Sequence, residues 1–239
     1  MCYHERYYSA GSMRYPTTPY LVIICRVEPR SHYGTIDDLR EADQTRPILR
    51  GVQGPTELIN MRHLYLIKCQ AVDVLHVGWL GEGAGHVNSW NSVGQDCYSY
   101  ISPHDKRVVD HRPISIKSPS CISRKPRGLS RSGKFKSHEW RILILFFSPV
   151  FEECIPQSYQ YVNHLALLSH GMHFFSQNSI SQDDLDTAKR VLTGYTELFE
   201  KYFTVDHVTF NPHLMCNHLL ESAENLGPPW VYNMVGFES

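Results

Sequence analysis

The segment from Ser181 to Phe203 constrains the fold of this chain more than any other part of it. It opens with Ser-Gln-Asp-Asp, a capping-box-like start in which a serine hydroxyl can accept a hydrogen bond from an unpaired backbone amide. Apolar side chains then recur at helical spacing: Leu185, Ala188, Leu192, Tyr195, Phe199 and Tyr202. Because such a stripe has to be buried, the segment predicts a long amphipathic helix packed on another helix.

The expected partner is Ser158–Phe175, which carries Tyr161, Leu165, Leu168 and Met172 on one face. Further helices are predicted at Trp140–Ser148, which Pro149 ends, and after Asn211, where Pro212 would take the first helical position. Leu58–Leu80 also shows apolar residues at helical spacing, whereas residues 81–136 are expected to be loop-like.

Residues 1–50 contain one strand-like run, Tyr20–Val27, and one candidate short helix, Ile36–Ala42. The predicted fold class is mainly α with little sheet and an irregular N-terminal segment. The predicted domains are an irregular, linker-like segment at 1–50 and a helical domain at 51–239, which includes a basic loop around 117–141.

Composition excludes several classes of protein. A hydrophobic content of 42% and a charged content of 20% are ordinary for a globular chain, so extensive disorder is not expected. The longest apolar run, Ile142–Phe147, is far too short to span a bilayer, and the N-terminus has no apolar signal region. Seven dispersed cysteines without a CxxC pair indicate a reducing compartment, so the chain is expected in the nucleus or cytoplasm and not among secreted or membrane proteins.

The strongest charge asymmetry lies between Lys117 and Arg141. This basic strip holds eight cations against one acid, Glu139, and the cations are Lys117, Arg124, Lys125, Arg127, Arg131, Lys134, Lys136 and Arg141. It could be a solvated, flexible connector. It could equally bind phosphates, since the affinity of proteins for nucleic acid of any sequence comes mainly from lysine and arginine.

Two short patterns could bind a metal ion. Asp73 and His76 are three residues apart and would share one face of a helix, although this spacing is frequent by chance. His213 and His218 are five residues apart, about 140° around a regular α-helix, so their rings are expected to point in different directions. No HExxH motif is present to support a histidine-dependent metallohydrolase.

Six segments occur in an order that resembles a known family. They are GVQGPTELI (51–59), VDVLHVGWLGEG (72–83), SIKSPSCISRKPRGLS (115–130), KSHEWRILILFFSPV (136–150), ISQDDLDTAKRVL (180–192) and FNPHLMCNHLLESAENLGPPW, which leads to GFE (210–238). Together they resemble the C-terminal half of DDE transposases of the CACTA (En/Spm-like) type, in the branch found in animal genomes. The resemblance covers most of the chain, including CYHERYYSAGSMRYP near the N-terminus.

The resemblance implies a ribonuclease-H-like catalytic core with two divalent ions and three carboxylates, the last of which follows a helical insertion. It places that third carboxylate at Glu238. It also implies that Asp73, His76, His213 and His218 are ligands of a structural zinc ion, consistent with the preference of zinc for imidazole. Magnesium would be expected only in an intact parent enzyme, where hard carboxylates serve phosphoryl transfer.

Three departures from the family pattern limit the expected activity. The two histidines are normally four residues apart, the usual GPLW stands here as Gly227-Pro228-Pro229-Trp230, and no residue matches the first two catalytic aspartates. Asp37, Asp38 and Asp43 match neither motif. The chain is therefore expected to be a piece of a longer transposase that begins after the second aspartate and ends one residue past the glutamate.

The expected function is that of a transposase-derived fragment without autonomous strand-transfer activity, which retains DNA binding that does not depend on sequence. The alternative is a helical module, stabilised by zinc, that binds protein or nucleic-acid partners.

Overall fold

The computed structural model describes residues 30–42, 48–54, 56–90, 101–117, 120, 122, 127–152, 154, 158–203 and 209–234. Within these ranges the protein is mainly helical, which confirms the predicted fold class. The sheet found there is a single antiparallel pair, β1 (Ile48–Leu49) and β2 (Val52–Gln53). The strand-like run Tyr20–Val27 lies outside the described residues.

The chain divides into two compact units, residues 1–71 and residues 72–239. The predicted boundary at residue 50 therefore falls inside the first unit. That unit contains α1 (His32–Glu41), the β1–β2 hairpin and a 3₁₀ helix at Glu57–Asn60. Ser31 caps α1 by accepting a hydrogen bond from the Gly34 amide at 3.0 Å. Arg50, between the two strands, forms an ion pair with Asp38 of α1.

The second unit contains the remaining helices. In chain order these are a first π-helix (Leu75–Gly83), α2 (Ala84–Ser89), α3 (Pro103–Ser115), a 3₁₀ helix (Leu129–Lys134), α4 (Ser137–Phe146), a 3₁₀ helix (Ser148–Phe151), α5 (Ser158–Phe174), α6 (Gln182–Tyr202), α7 (Phe210–His213), a second π-helix (Leu214–Leu219), α8 (Leu220–Leu226) and a 3₁₀ helix (Pro229–Val231).

The packing of α6 on α5 confirms the prediction made from their apolar stripes. Ser181 and Asp184 cap α6 reciprocally: the Asp184 amide donates to Ser181 Oγ at 3.2 Å, and the Ser181 amide donates to Asp184 Oδ2 at 2.9 Å. The residues that face the centre are completely buried, and they include Leu165, Leu168, Met172, Leu192 and Tyr195. This pair of helices is the centre of the core in the second unit.

Residues 81–136, predicted to be loop-like, contain α2 and α3, so that prediction is wrong. Ser102 caps α3 by accepting from the Asp105 amide at 3.1 Å, and Pro103 takes the first helical position. The sequence Ser-Pro-His-Asp carried this start signal. However, α3 has no apolar stripe, since among its described side chains only Val109 is fully buried.

Three other predicted boundaries differ from the structure. The helix expected within Leu58–Leu80 begins only near Leu75, and residues 62–70 form turns that leave Cys69 exposed. Thr209, rather than Asn211, caps α7, since its Oγ1 accepts from the Asn211 amide at 3.3 Å. The helix predicted at Trp140–Ser148 begins and ends earlier, at Ser137–Phe146.

None of the helices in the described ranges is both long and apolar enough to cross a membrane.

Candidate functional site

The C-terminal helical run changes its winding between the two histidines that the sequence singled out. α7, the second π-helix and α8 follow one another without a break from Phe210 to Leu226. In a π-helix the hydrogen bonds join residues five apart, so side chains five apart come close to one another. The ring centroids of His213 and His218 are 5.1 Å apart. The expectation that these rings point apart is therefore wrong, because it assumed an α-helical turn.

The two rings have different surroundings. Burial, and then the nearby His218, lowers the pKa of His213 to about 4, so this ring is neutral at physiological pH. Its Nδ1 lies 3.2 Å from the side-chain amide nitrogen of Asn217. His218 is more exposed, and its Nδ1 lies 3.0 Å from Glu221 Oε2. A neutral imidazole is the form that binds metal ions.

Asp73 and His76 form a second pair at the start of the first π-helix. His76 Nδ1 lies 2.5 Å from Asp73 Oδ2. The other carboxylate oxygen, Oδ1, accepts from the amides of Leu75 and Met234, both at 3.2 Å. Asp73 thus accepts from the first residue of the π-helix and also from the chain that follows Trp230. Burial, and then the charge of Asp73, raises the pKa of Tyr232 to about 12.

The two pairs lie on neighbouring segments. The first π-helix packs against α7 and the second π-helix. The Val72 amide donates to Ser222 Oγ at 2.9 Å, and this hydroxyl donates to the His218 carbonyl at 2.7 Å. Within the described ranges, however, no three His, Cys, Asp or Glu side chains come close enough to share one metal ion. The residue types suit zinc, but they stand as two separate pairs rather than as one set of four ligands.

A buried polar cluster lies at the junction of α2 with α5 and α6, and the sequence did not predict it. The hydroxyl of Tyr195 donates to Glu82 Oε1 and lies 2.9 Å from His86 Nδ1. His164 Nε2 donates to the Tyr195 carbonyl at 2.7 Å, and its ring stacks on the Tyr195 ring at 4.4 Å. All four residues are fully buried or nearly so.

Burial controls the charge state of this cluster. It raises the pKa of Glu82 to about 7, although the hydrogen bond from Tyr195 acts in the opposite direction. It lowers the pKa of His86 well below its ordinary value, and it lowers the pKa of His164 to about 4. The histidines are therefore neutral, and the cluster is a polar network inside the core. Its signal in the sequence was the spacing of Glu82 and His86, four residues apart on what proved to be a helix.

The acid of the basic strip is buried. Glu139 is 1% exposed, and its carboxylate accepts from Arg127 Nε at 2.7 Å, from Arg127 Nη2 at 2.6 Å and from the Lys136 amide at 3.0 Å. Burial alone would raise the pKa of Glu139, but these hydrogen bonds, with that of Arg127 the strongest, lower it to about 2. The Arg127 guanidinium also lies over the Phe135 ring. Arg127 and Glu139 thus form a structural ion pair.

The other described cations of the strip are exposed. They are Lys117, Arg131, Lys134, Lys136 and Arg141. The 3₁₀ helix that carries Arg131 and Lys134 is fixed to α3, because the Ser130 amide donates to Asp110 Oδ1 at 3.2 Å. Residues 127–136 are therefore anchored to α3 within the second unit and do not form a free connector. Arg124 and Lys125 lie outside the described residues.

The carboxylates considered for catalysis are not assembled in the described part of the chain. Glu238 and Asp43 lie outside it, Asp37 is exposed, and Asp38 is paired with Arg50.

Comparisons with models of known protein families, with curated proteins and with solved structures give no match.

Proposed function

We propose that this protein is a transposase-derived helical module that binds DNA through its phosphates, independently of sequence, and that has no strand-transfer activity of its own. The resemblance to CACTA-type transposases supports the derivation. The observation that carries the DNA-binding part is the burial of Glu139: the one acid of the strip is neutralised inside the fold, so the described side chains that the strip exposes are basic or uncharged.

Such a surface binds polyanions by releasing counterions. Each phosphate contact contributes about 0.9 to the slope of log K against log salt concentration on duplex DNA, whatever the base sequence. Lys134 and Arg131 are held on an anchored 3₁₀ helix, so less conformational entropy is lost on binding than for cations on a free loop.

The proposed lack of strand transfer follows from the metal requirement of the reaction. Two-metal phosphoryl transfer needs several carboxylates to bind both ions. The resemblance supplies one, Glu238, and Asp38, one of the three upstream aspartates that match neither missing motif, neutralises Arg50. We therefore expect no Mg²⁺- or Mn²⁺-dependent nicking of supercoiled plasmid, and no effect of Glu238→Gln on that result.

The DNA-binding proposal can be tested with the double variant Arg131→Ala/Lys134→Ala. Binding to short fluorescent duplexes of unrelated sequence, measured by anisotropy at several salt concentrations, should be micromolar or weaker for the wild-type protein. The salt slope should fall by about 1.8 in the double variant, since about 0.9 is lost per contact. Arg190→Ala, which removes an exposed arginine from α6, is the matched control and should change neither quantity.

Tight binding that does not respond to salt would contradict phosphate-based recognition. Equal losses per removed charge in the double variant and in Arg190→Ala would show that net charge, rather than the strip, determines the affinity. Nicking that requires metal and disappears in Glu238→Gln would overturn the inactive-fragment part of the proposal.

The edge-to-face contact between His213 and His218 in the second π-helix favours a second candidate function, a zinc-stabilised interaction module. The extra residue between these histidines is accommodated by the π-turn, which brings their rings to 5.1 Å. Asp73 and His76 lie on the segment packed against them. Zinc held by these four residues would join the first π-helix to the C-terminal helical run, and it would require the two pairs to approach each other.

We expect stoichiometric zinc in the purified protein and a lower melting temperature after chelation. His76→Ala and His213→Ala should each reduce the zinc content, measured by elemental analysis, and the effect of the chelator. His170→Ala, which removes an exposed histidine from α5, should retain both. Metal-free protein whose melting temperature is unchanged by chelation would rule out this candidate.

A further inference from the structure

The outward face of α3 carries a row of side chains that the basic strip does not include. His104, Arg107 and His111 are exposed, and their spacing of three and four residues places them on one side of the helix. With Val108, Arg112 and Ser115 they line a shallow groove with a volume of about 530 Å³. The lining given by the described residues contains no acid.

The acids of α3 are engaged elsewhere. Asp105 accepts from the hydroxyl of Ser102 at 2.5 Å, at the N-terminus of the helix. Asp110 accepts from the Ser130 amide, and its carboxylate also lies against Gly128, where an added Cβ would come within 2.7 Å of it. Neither carboxylate lines the groove, so the face of Arg107 keeps its positive character.

The helix is held firmly enough to present this face. Arg112 donates from Nη1 to the carbonyls of Val150 and Glu152, at 2.9 Å and 2.5 Å. Val109, on the opposite side of α3, is 1% exposed in the core. The contact between Asp110 and Ser130 places the 3₁₀ helix with Arg131 and Lys134 along the flank of α3.

The residue types and their spacing fit the phosphate backbone of a nucleic acid. Arginine binds phosphate oxygens with two parallel N–H groups, and a histidine ring donates at least one N–H in either protonation state. His104 and His111 are about 10 Å apart along the helix axis. That distance corresponds to about three phosphates of one strand, since each occupies about 3.4 Å of the duplex axis.

We infer that the groove on α3, with Arg107 at its centre and His104 and His111 on either side, is a DNA phosphate-binding surface that extends the basic strip. This inference rests on the DNA binding proposed above and names a second contact surface for it. Residues of α3 and of the 3₁₀ helix would then bind neighbouring phosphates of the same duplex.

The test compares Arg107→Ala, Arg107→Lys and the double variant His104→Ala/His111→Ala with the control Arg190→Ala. All of these positions are exposed on helices, and circular dichroism should confirm an unchanged fold. Arg107→Ala should lower the salt slope by about 0.9 and weaken duplex binding roughly eightfold at about 0.1 M salt. Arg107→Lys should keep the slope, since the charge is retained. The histidine double variant should weaken binding, whereas Arg190→Ala should leave it unchanged.

The outcomes separate this inference from the proposed function. If Arg131→Ala/Lys134→Ala weakens binding and the α3 variants do not, the groove inference fails while the proposed function stands. If the wild-type protein binds no duplex, both fail. If the α3 variants lose binding to poly-glutamate but keep their affinity for DNA, the groove binds acidic protein segments and the inference is overturned.

Discussion

At the scale of single residues, Glu82 is the acid whose burial has the clearest consequence. It is 2% exposed and receives the hydroxyl hydrogen bond of Tyr195, which in turn contacts His86. Its folded-state pKa of about 7 stands above the value of 4.5 for an ordinary glutamate. The stability that the protonated form contributes is complete below about pH 4.5 and is lost as the pH rises through 7.

The buried histidines titrate in the opposite sense. His164 has a pKa of about 4 against an ordinary value of 6.5, so its contribution is complete above about pH 6.5 and is lost as the pH falls towards 4. His86 and His213 are shifted in the same direction. Below about pH 6.5, protonation of these histidines would lower the free energy of unfolding of the wild-type protein and mask the contribution of Glu82.

The contribution of Glu82 is therefore best measured as a difference between two proteins. The free energy of unfolding of Glu82→Gln minus that of the wild type should rise by on the order of 3 kcal/mol as the pH increases from about 4.5 to about 7.5. The wild type loses this stability because Glu82 ionises, whereas the amide cannot. Urea unfolding across this range measures the difference, and the histidine terms cancel from it. Glu197→Gln, at an exposed position on α6, should give a flat difference; a flat difference for Glu82→Gln would contradict the assignment.

At the scale of elements, the contact of α5 with α6 depends on a glycine. A Cβ added at Gly171 of α5 would lie 2.4 Å from Leu192 Cδ2 and 2.6 Å from its Cγ. Leu192 is completely buried, so it has little room to move. Gly194 of α6 is the contrasting case, because nothing among the described atoms lies within 4 Å of a Cβ added there.

These two glycines give opposite expectations for the same substitution. Gly171→Ala should destabilise the protein by about 1–3 kcal/mol, through overpacking against Leu192. Gly194→Ala should stabilise it by up to about 1 kcal/mol, since alanine is the better helix former and meets no neighbour. Chemical denaturation of both variants checks the pair. A gain in stability for Gly171→Ala would show that α5 and α6 can move apart without a loss of packing energy.

At the scale of the whole molecule, the hydrophobic core lies in one of the two compact units. Every described residue of the main apolar cluster falls between Val72 and Ala223. In the unit of residues 1–71, the described apolar side chains that are buried are Leu39, Ala42 and Leu66. Burial of apolar surface is the main favourable term in folding, so the second unit holds most of the stabilising contacts.

Residues 72–239, produced alone, should therefore keep their helical circular dichroism and unfold in one cooperative transition. Residues 1–71 alone should show no cooperative transition, because the described part of this unit contributes three buried apolar residues, which provide too little core. Thermal unfolding followed by circular dichroism compares the two. Loss of cooperativity in the longer piece would contradict the assignment of the core to that unit.

The elements that could be predicted from the amino-acid sequence are those that local interactions specify. The α5–α6 pair was predictable because its stripes repeat at the helical period and because Ser181 and Asp184 form a cap within four residues. The helix α3 was missed for the converse reason: it has a cap but buries little. Charge asymmetry likewise located the basic strip, although it did not distinguish the exposed Arg131 from Arg127, whose partner is buried.

The contacts between side chains far apart in the chain could not be predicted, because they depend on how the folded segments pack. Tyr195 and Glu82 are 113 residues apart in the chain, and no periodicity in the sequence connects them. The edge-to-face contact between His213 and His218 depended on a π-turn, a winding that local propensity does not distinguish from an α-helix. Both outcomes arise from packing between segments, which stabilises a conformation that the local sequence merely allows.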